Sequence, residues 1–209
     1  MWFDCGMYFV HIHLGIAGWI NFKDIGYTKY ILVFKDNIKI FLDDMRKFSK
    51  ISIFKINKHN EKINKLGPDI FSQDYSLEFF KNNIQSIDKM IVYFLLEQKY
   101  NAGIGNLIKN ESLYISKINP KIKTKNLDLK KIKNLYEAIK FVCFSNLIEM
   151  LKKANIKIPF DIQKNKPLKL QIPYKIRVYD KLRDSYGNKI TLEIIGGRKT
   201  YYVKSRQKL

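Results

Sequence analysis

Cysteine is scarce in this 209-residue chain, and its two copies, Cys5 and Cys143, share no metal-ligand spacing and imply no disulfide framework. Reduced, buried thiols in an intracellular protein are expected. Acidic residues are also in short supply: 19 Asp and Glu stand against 39 Lys and Arg, leaving a formal net charge of +20. A surplus of that size attracts polyanions, nucleic acid first among them. The joint abundance of Lys, Asn, Ile, Tyr and Phe is also what an AT-rich coding sequence gives, so the charge permits such a partner without specifying it. No apolar run approaches the roughly 20 residues of a membrane span, and the opening Met1-Trp-Phe-Asp-Cys-Gly6 lacks the basic stretch of a secretion signal. A soluble protein with no membrane partner is expected. No internal repeat is present.

What is there falls into sections by hydrophobic period. Up to about Phe54 the pattern suits strands: Met7-Tyr-Phe-Val-His-Ile-His13 is rich in aromatic and β-branched residues, and Tyr30–Phe34 with Ile38–Leu42 reads as a hairpin about the polar turn Lys35-Asp-Asn37. From Gln73 to about Ala154 the period is helical, with Leu77, Phe80, Ile84 and Ile87 on one face and Leu129, Ile132, Leu135, Ile139, Val142 and Cys143 on another. Asn126 or Asp128 is placed to cap the last long helix, and Asn119-Pro120 breaks the chain before it. Residues 155–173 carry Pro159, Pro167 and Pro173 among lysines, which suits a solvated linker. Beyond them Arg177-Val-Tyr-Asp-Lys181, Lys189–Ile195, Gly196-Gly197 and Lys199–Val203 read as a small β-hairpin unit.

Asn101-Ala-Gly-Ile-Gly-Asn106 joins two of the helices through glycines and ends in an asparagine. The second helix is expected to start at or near Asn106. Helix starts leave backbone N–H groups unpaired and carry partial positive charge, so an anion is stabilised there. The hexapeptide alone fits an ordinary helix connection better than an anion site.

Several motifs occurring in order resemble the formamidopyrimidine-DNA glycosylase and endonuclease VIII family. His13-Leu-Gly-Ile-Ala-Gly18 is similar to its His-Leu-Gly-Met-x-Gly strand end, and Asp44-Met-Arg-Lys-Phe48 to its Asp-Pro-Arg-Arg-Phe loop. Leu66-Gly-Pro-Asp69 corresponds to the link between its domains. Gly103-Ile-Gly-Asn106, Glu111-Ser-Leu113 and Ile118-Asn-Pro120 follow its helix-two-turn-helix module, and Arg198-Lys-Thr-Tyr-Tyr202 with Gln207 its C-terminal finger. The resemblance implies an α+β fold: a remnant of the N-terminal β-sandwich catalytic domain over residues 1–58, a linker 59–72, a helix-two-turn-helix DNA-binding domain 73–154, a linker 155–173 and a finger 174–209. It also implies a base-excision-repair protein acting on double-stranded DNA with a damaged base or an abasic site, wherever DNA is in the cell, nucleus or nucleoid. A non-catalytic DNA- or RNA-binding helix-two-turn-helix protein is the alternative.

By the same resemblance His13, Asn106 and Arg198 grip the phosphates flanking a flipped nucleotide. The residue types suit that role, since Asn106 joins an amide donor to a helix start, Arg198 offers a planar fork, and His13 donates a ring N–H. Such contacts position the strand without reading sequence. Ile16, Arg46 and Phe48 match the residues that fill the hole left by the flipped base, where inserted side chains offset unstacking.

Two departures from the family pattern matter. The positions of its four zinc-binding cysteines hold Arg183, Tyr186, Val203 and Arg206, none of which supplies a thiolate, so a zincless finger with no metal and no cofactor is expected. Its small core is expected from Val203, Tyr201, Ile190, Leu192 and Ile194. The family's catalytic start, Pro-Glu-Leu-Pro-Glu, whose terminal amine attacks the sugar, has no counterpart in Met1-Trp-Phe-Asp-Cys-Gly6. No catalytic residue is therefore assigned, and the chain as it stands is expected to be inactive as a glycosylase and abasic-site lyase, either because the true polypeptide starts upstream or because the lineage has kept only DNA binding.

Overall fold

A computed structural model describes residues 1–15, 18–153, 155–159, 162–163, 166–167 and 170–208. The fold is α+β, and the chain divides into two compact units, Met1–Asn64 and Lys65–Leu209.

The first unit is built from two three-stranded antiparallel sheets. β1 (Trp2–Asp4), β2 (Tyr8–His13) and β6 (Lys50–Lys55) form one in the order β1-β2-β6, with His13 opposite Lys50. β3 (Gly18–Asn21), β4 (Thr28–Val33) and β5 (Lys39–Asp44) form the other in the order β3-β5-β4. The β4–β5 hairpin turns at Lys35–Asn37, where Asp36 and Asn37 take positive φ, a conformation short polar side chains tolerate best among residues with a Cβ.

Residues 59–72, expected as a linker, are ordered at both ends. α1 spans Ile56–Ile63, and its His59 is buried because it stacks on Phe9 at 3.7 Å and shares a 2.8 Å hydrogen bond with His11. Further on, Gly67 N–H donates to Gln98 O, and Ile70 is buried in the core of the second unit.

In that second unit, α2 (Leu77–Gln85), α3 (Ile91–Leu96), α4 (Asn106–Ile115) and α5 (Leu129–Lys153) close on one apolar core. Phe80, Ile84, Phe94, Leu95, Leu113, Ile132, Leu135 and Ile139 are essentially inaccessible, as the helical periods require. Ser76 Oγ caps α2 by accepting from Phe79 N–H at 3.0 Å, and Asp128 rather than Asn126 caps α5, its Oδ1 accepting from Lys131 N–H at 2.7 Å.

β7 (Thr191–Ile195) and β8 (Arg198–Tyr202) form the C-terminal hairpin. Its turn residues Gly196 and Gly197 both have positive φ, the condition for a two-residue turn matched to strand twist. A Cβ on Gly196 would stand 2.4 Å from Tyr93 Cε1, so only glycine lets the turn lie against α3.

The hairpin core corrects the sequence expectation in part. Ile190, Tyr201 and Val203 are buried with Tyr114 and Val178, whereas Leu192, directly opposite Tyr201, and Ile194 share that face but are exposed, because the cluster covers the open end of the hairpin and not the part nearer its turn. Arg177–Lys181 forms no strand. The backbone N–H groups of Arg177, Val178 and Tyr179 are instead taken by the buried carboxylate of Glu111, each at 2.8 Å, and Tyr174 Oη–H donates to it at 2.7 Å.

Candidate nucleic-acid interface

The turn before α4 is held from within. Asn101, fully buried, donates from Nδ2 to Phe94 O at 2.7 Å and accepts from Tyr75 Oη–H at 2.8 Å, while Gln98 accepts from Gly103 N–H and donates to Ile104 O, both at 3.0 Å. Gly103 takes a φ of +96° in this turn. Gly105 precedes the helix as its N-cap and offers no side chain, so the first-turn N–H groups are left without a side-chain cap.

One face of α4 is stapled to β8. Asn106 Nδ2 donates to Lys199 O at 2.9 Å, Lys109 Nζ to Thr200 Oγ1 at 3.0 Å, and Asn110 accepts from Tyr201 N–H at 2.9 Å. The spacing i, i+3, i+4 puts the three side chains on one stripe. Asn106 Oδ1 is buried with no hydrogen-bond partner among the described residues.

Arg198, the first residue of β8, is exposed directly after the glycine turn. Among the described residues its guanidinium has no hydrogen-bond partner and no acidic neighbour within ion-pair distance. Lys109 lies fully buried, and no carboxylate among the described residues pairs with it. Burial, with Arg198 as a second and smaller contributor, lowers its ammonium from 10.5 to about 8. Asn106 and Arg198 were legible from the motif order. Lys109 was not, although its place three residues after Asn106 on a helix puts it on the same face.

The first unit assembles a different group. His13 ends β2 exposed, and its partner Lys50 begins β6 two residues after Phe48. The 45–49 loop is shaped by the buried Asp44, whose carboxylate accepts from Ser49 N–H at 2.5 Å and Arg46 N–H at 3.2 Å. Lys29 Nζ donates to Lys47 O and Ser49 O from the far side. The loop presents Phe48, 55% exposed, with the Arg46 guanidinium 5.1 Å from its ring centre. A Cβ on Gly15 would be 3.1 Å from Phe48 Cβ, so the His13–Gly15 strand end and this loop are in contact. His13, Arg46 and Phe48 thus share one end of the sheet; Ile16 lies outside the described residues.

The positions that resemble zinc ligands carry other contacts. The Arg206 guanidinium lies 4.3 Å from the Tyr186 ring centre, Val203 is buried, and Arg183 Nη1 donates to Gly187 O at 2.8 Å.

Residues 66–157 match the family model of the formamidopyrimidine-DNA glycosylase H2TH domain. The chain is 28% identical over 206 residues to a formamidopyrimidine-DNA glycosylase of Zymomonas mobilis, covering 94% of this chain and 73% of that one. With the enzyme of the same name from Rickettsia conorii it shares 30% identity over 141 residues, 65% of this chain and 52% of the relative. The chain thus spans about half the length of several of these relatives, and 43% of the one from Listeria monocytogenes. The crystal structure of the MutM (Fpg) protein from Thermus thermophilus superposes with a TM-score of 0.74 at 19% identity, over 97% of this chain and 77% of that one. The Lactococcus lactis enzyme bound to DNA containing an abasic site gives 0.70 at 23% identity, over 97% and 75% of the two chains. At these identities the superpositions establish the fold.

Proposed function

Because the chain belongs to the formamidopyrimidine-DNA glycosylase and endonuclease VIII family, we propose that it is a base-excision-repair protein that holds the phosphates around a damaged or abasic nucleotide in double-stranded DNA. The observation that carries the reading is the α4–β8 junction. An uncapped helix start, an Asn106 amide fixed on Lys199 O and an Arg198 guanidinium with no partner among the described residues stand together at one surface. Phosphate esters suit such a group, since the helix start favours negative charge and the guanidinium fork matches two phosphate oxygens.

His13 adds a third phosphate contact in this reading. Phe48 and Arg46 enter the space vacated by the nucleotide; Ile16, the third residue of that set, lies outside the described residues. Insertion of an exposed aromatic ring offsets part of the few kcal/mol lost on unstacking a base. The stacked Arg46 guanidinium keeps donors for a base edge.

Base excision and abasic-site cleavage, which the family resemblance implies, are not carried over to this chain: the reading is one of binding, and no catalytic residue is assigned. The Met1 ammonium donates to Ile12 O at 3.1 Å, and the Asp4 carboxylate accepts from Gly6 N–H at 2.9 Å. Neither is arranged as an amine and carboxylate pair.

The test is binding of the chain to abasic-site duplex, intact duplex and structured RNA across a salt series. Tightest binding to the abasic duplex, weakened by Arg198→Ala and Asn106→Ala, is expected. Equal affinity for all three ligands refutes the repair reading.

A further inference from the structure

At the other end of α4, eight residues and therefore about 12 Å from Asn106, the chain forms a cavity of about 450 Å³ lined in large part by polar groups. Lys175, Arg177, Lys181, Arg183 and Arg206 all border it, against one acid, Asp184. That acid is already saturated: Oδ2 accepts from Tyr114 Oη–H at 2.9 Å and Asn188 Nδ2 at 3.0 Å, and Oδ1 accepts from the backbone N–H groups of Tyr186 and Asn188. Among the described residues none of the five cations is within ion-pair distance of a carboxylate.

Their other partners are few and neutral. Arg177 Nη2 donates to Gln171 Oε1, Arg183 Nη1 to Gly187 O and Lys181 Nζ to Ile176 O. Lys175 makes no side-chain hydrogen bond among the described residues. Arg206 is fixed by the faces of Tyr186 at 4.3 Å and Tyr114 at 5.4 Å, and its Nε is buried with no acceptor among the described residues. A buried donor without a partner is costly, and five converging cations repel one another. Both costs fall together when an anion enters.

We propose that this cavity is a second anion-binding site, separate from the α4–β8 junction, and that it takes a phosphate monoester. A monoester is compact and doubly charged near neutral pH, so it suits several convergent donors. A cavity of this volume has room for a phosphate or a single nucleotide but not for a duplex with its paired strands. At three of the four positions where the resemblance aligns zinc ligands, Arg183, Tyr186 and Arg206, guanidinium and phenol groups stand in place of thiolates and border the cavity, so the local field selects an anion.

The experiment follows the Arg Nε–H resonances of the full chain by NMR during titration with inorganic phosphate at constant ionic strength. Two further arms use a 5′-phosphorylated dinucleotide and its unphosphorylated counterpart. Saturable phosphate binding that moves the Arg206 signal is expected. It should weaken about tenfold in Arg206→Lys, which loses the planar fork, and also in Lys175→Ala, an exposed site whose change leaves the fold intact. Arg198→Ala should leave it unchanged. If the phosphorylated dinucleotide binds at least about tenfold more tightly than phosphate, a strand end is the ligand; equal affinities identify a small free phosphate. The proposal is overturned if the signal change fails to saturate or is matched by chloride. It is also overturned if binding survives both Arg206→Lys and Lys175→Ala but is lost in Arg198→Ala.

Discussion

Replacing Lys109 with methionine should make the protein more stable at neutral pH, although the change deletes a hydrogen bond. The Lys109 side chain is fully buried, has Thr200 Oγ1 as its hydrogen-bond partner and lies near the like charge of Arg198. The fall from 10.5 to about 8 corresponds to roughly 3 kcal/mol at about 1.36 kcal/mol per pH unit. The folded value lies below the unfolded one, so below pH 8 both states carry the proton and the folded state bears the whole penalty. As pH rises from about 8 towards 10.5, the folded state releases its proton first, the unfolded state binds more protons, and stability increases. Methionine removes the charge and nearly keeps the length, while the lost hydrogen bond costs about 1 kcal/mol. Thr200 keeps its donation to Arg198 O at 3.3 Å. A net gain of about 2 kcal/mol at pH 7 is expected, shrinking to a small loss by pH 10.5. Urea denaturation of both proteins at half-unit pH intervals measures it through the difference curve, in which other titrations cancel. A Lys109→Met protein less stable than the parent at pH 7, with a parallel pH profile, refutes the argument.

Other outcomes follow from the same geometry. Arg198→Ala should weaken abasic-duplex binding and reduce the slope of log affinity against log salt by about 1, the mark of one lost phosphate contact, as read by fluorescence anisotropy. Phe48→Ala should leave unfolding free energy within about 0.5 kcal/mol, because the ring is exposed, yet reduce the preference for abasic over intact duplex about tenfold; an unchanged preference removes Phe48 from the void. Glu111→Ala leaves three backbone N–H groups without their acceptor, so a loss of at least about 3 kcal/mol in urea denaturation is expected. Borohydride treatment with abasic DNA should give no covalent adduct with the 209-residue chain, whose Met1 amine is held on Ile12 O; trapping would reverse the assignment of this chain as a binder.

Legibility differed by element. The helical stretch was readable because Phe80, Ile84, Ile132, Leu135 and Ile139 recur at the helical period and all reach the core. The β4–β5 hairpin was readable from its polar turn. Arg177–Lys181 was misread because its alternating residues suit a strand locally, while the buried Glu111 carboxylate claims the backbone donors a strand partner would need. Leu192 and Ile194 were misplaced because residue type does not say how far along one face of a two-stranded hairpin the covering cluster extends. Of the site, the types and order of Asn106, Arg198, Arg46 and Phe48 were visible, but the stacking of Arg46 on Phe48 was not.

Sequence by itself determined the α+β class, the excess of positive charge, the glycine turns and the ordered motifs, because each depends on residue type and spacing along one stretch of chain. Only the tertiary structure decided what those residues face. It buries Lys109 between α4 and β8 with no counterion among the described residues, and gathers Lys175, Arg177, Arg183 and Arg206 around one cavity. Both depend on residues distant in the chain, Lys109 on Thr200 and the 175–183 stretch on Arg206, and solvation and charge compensation are set by neighbours in space.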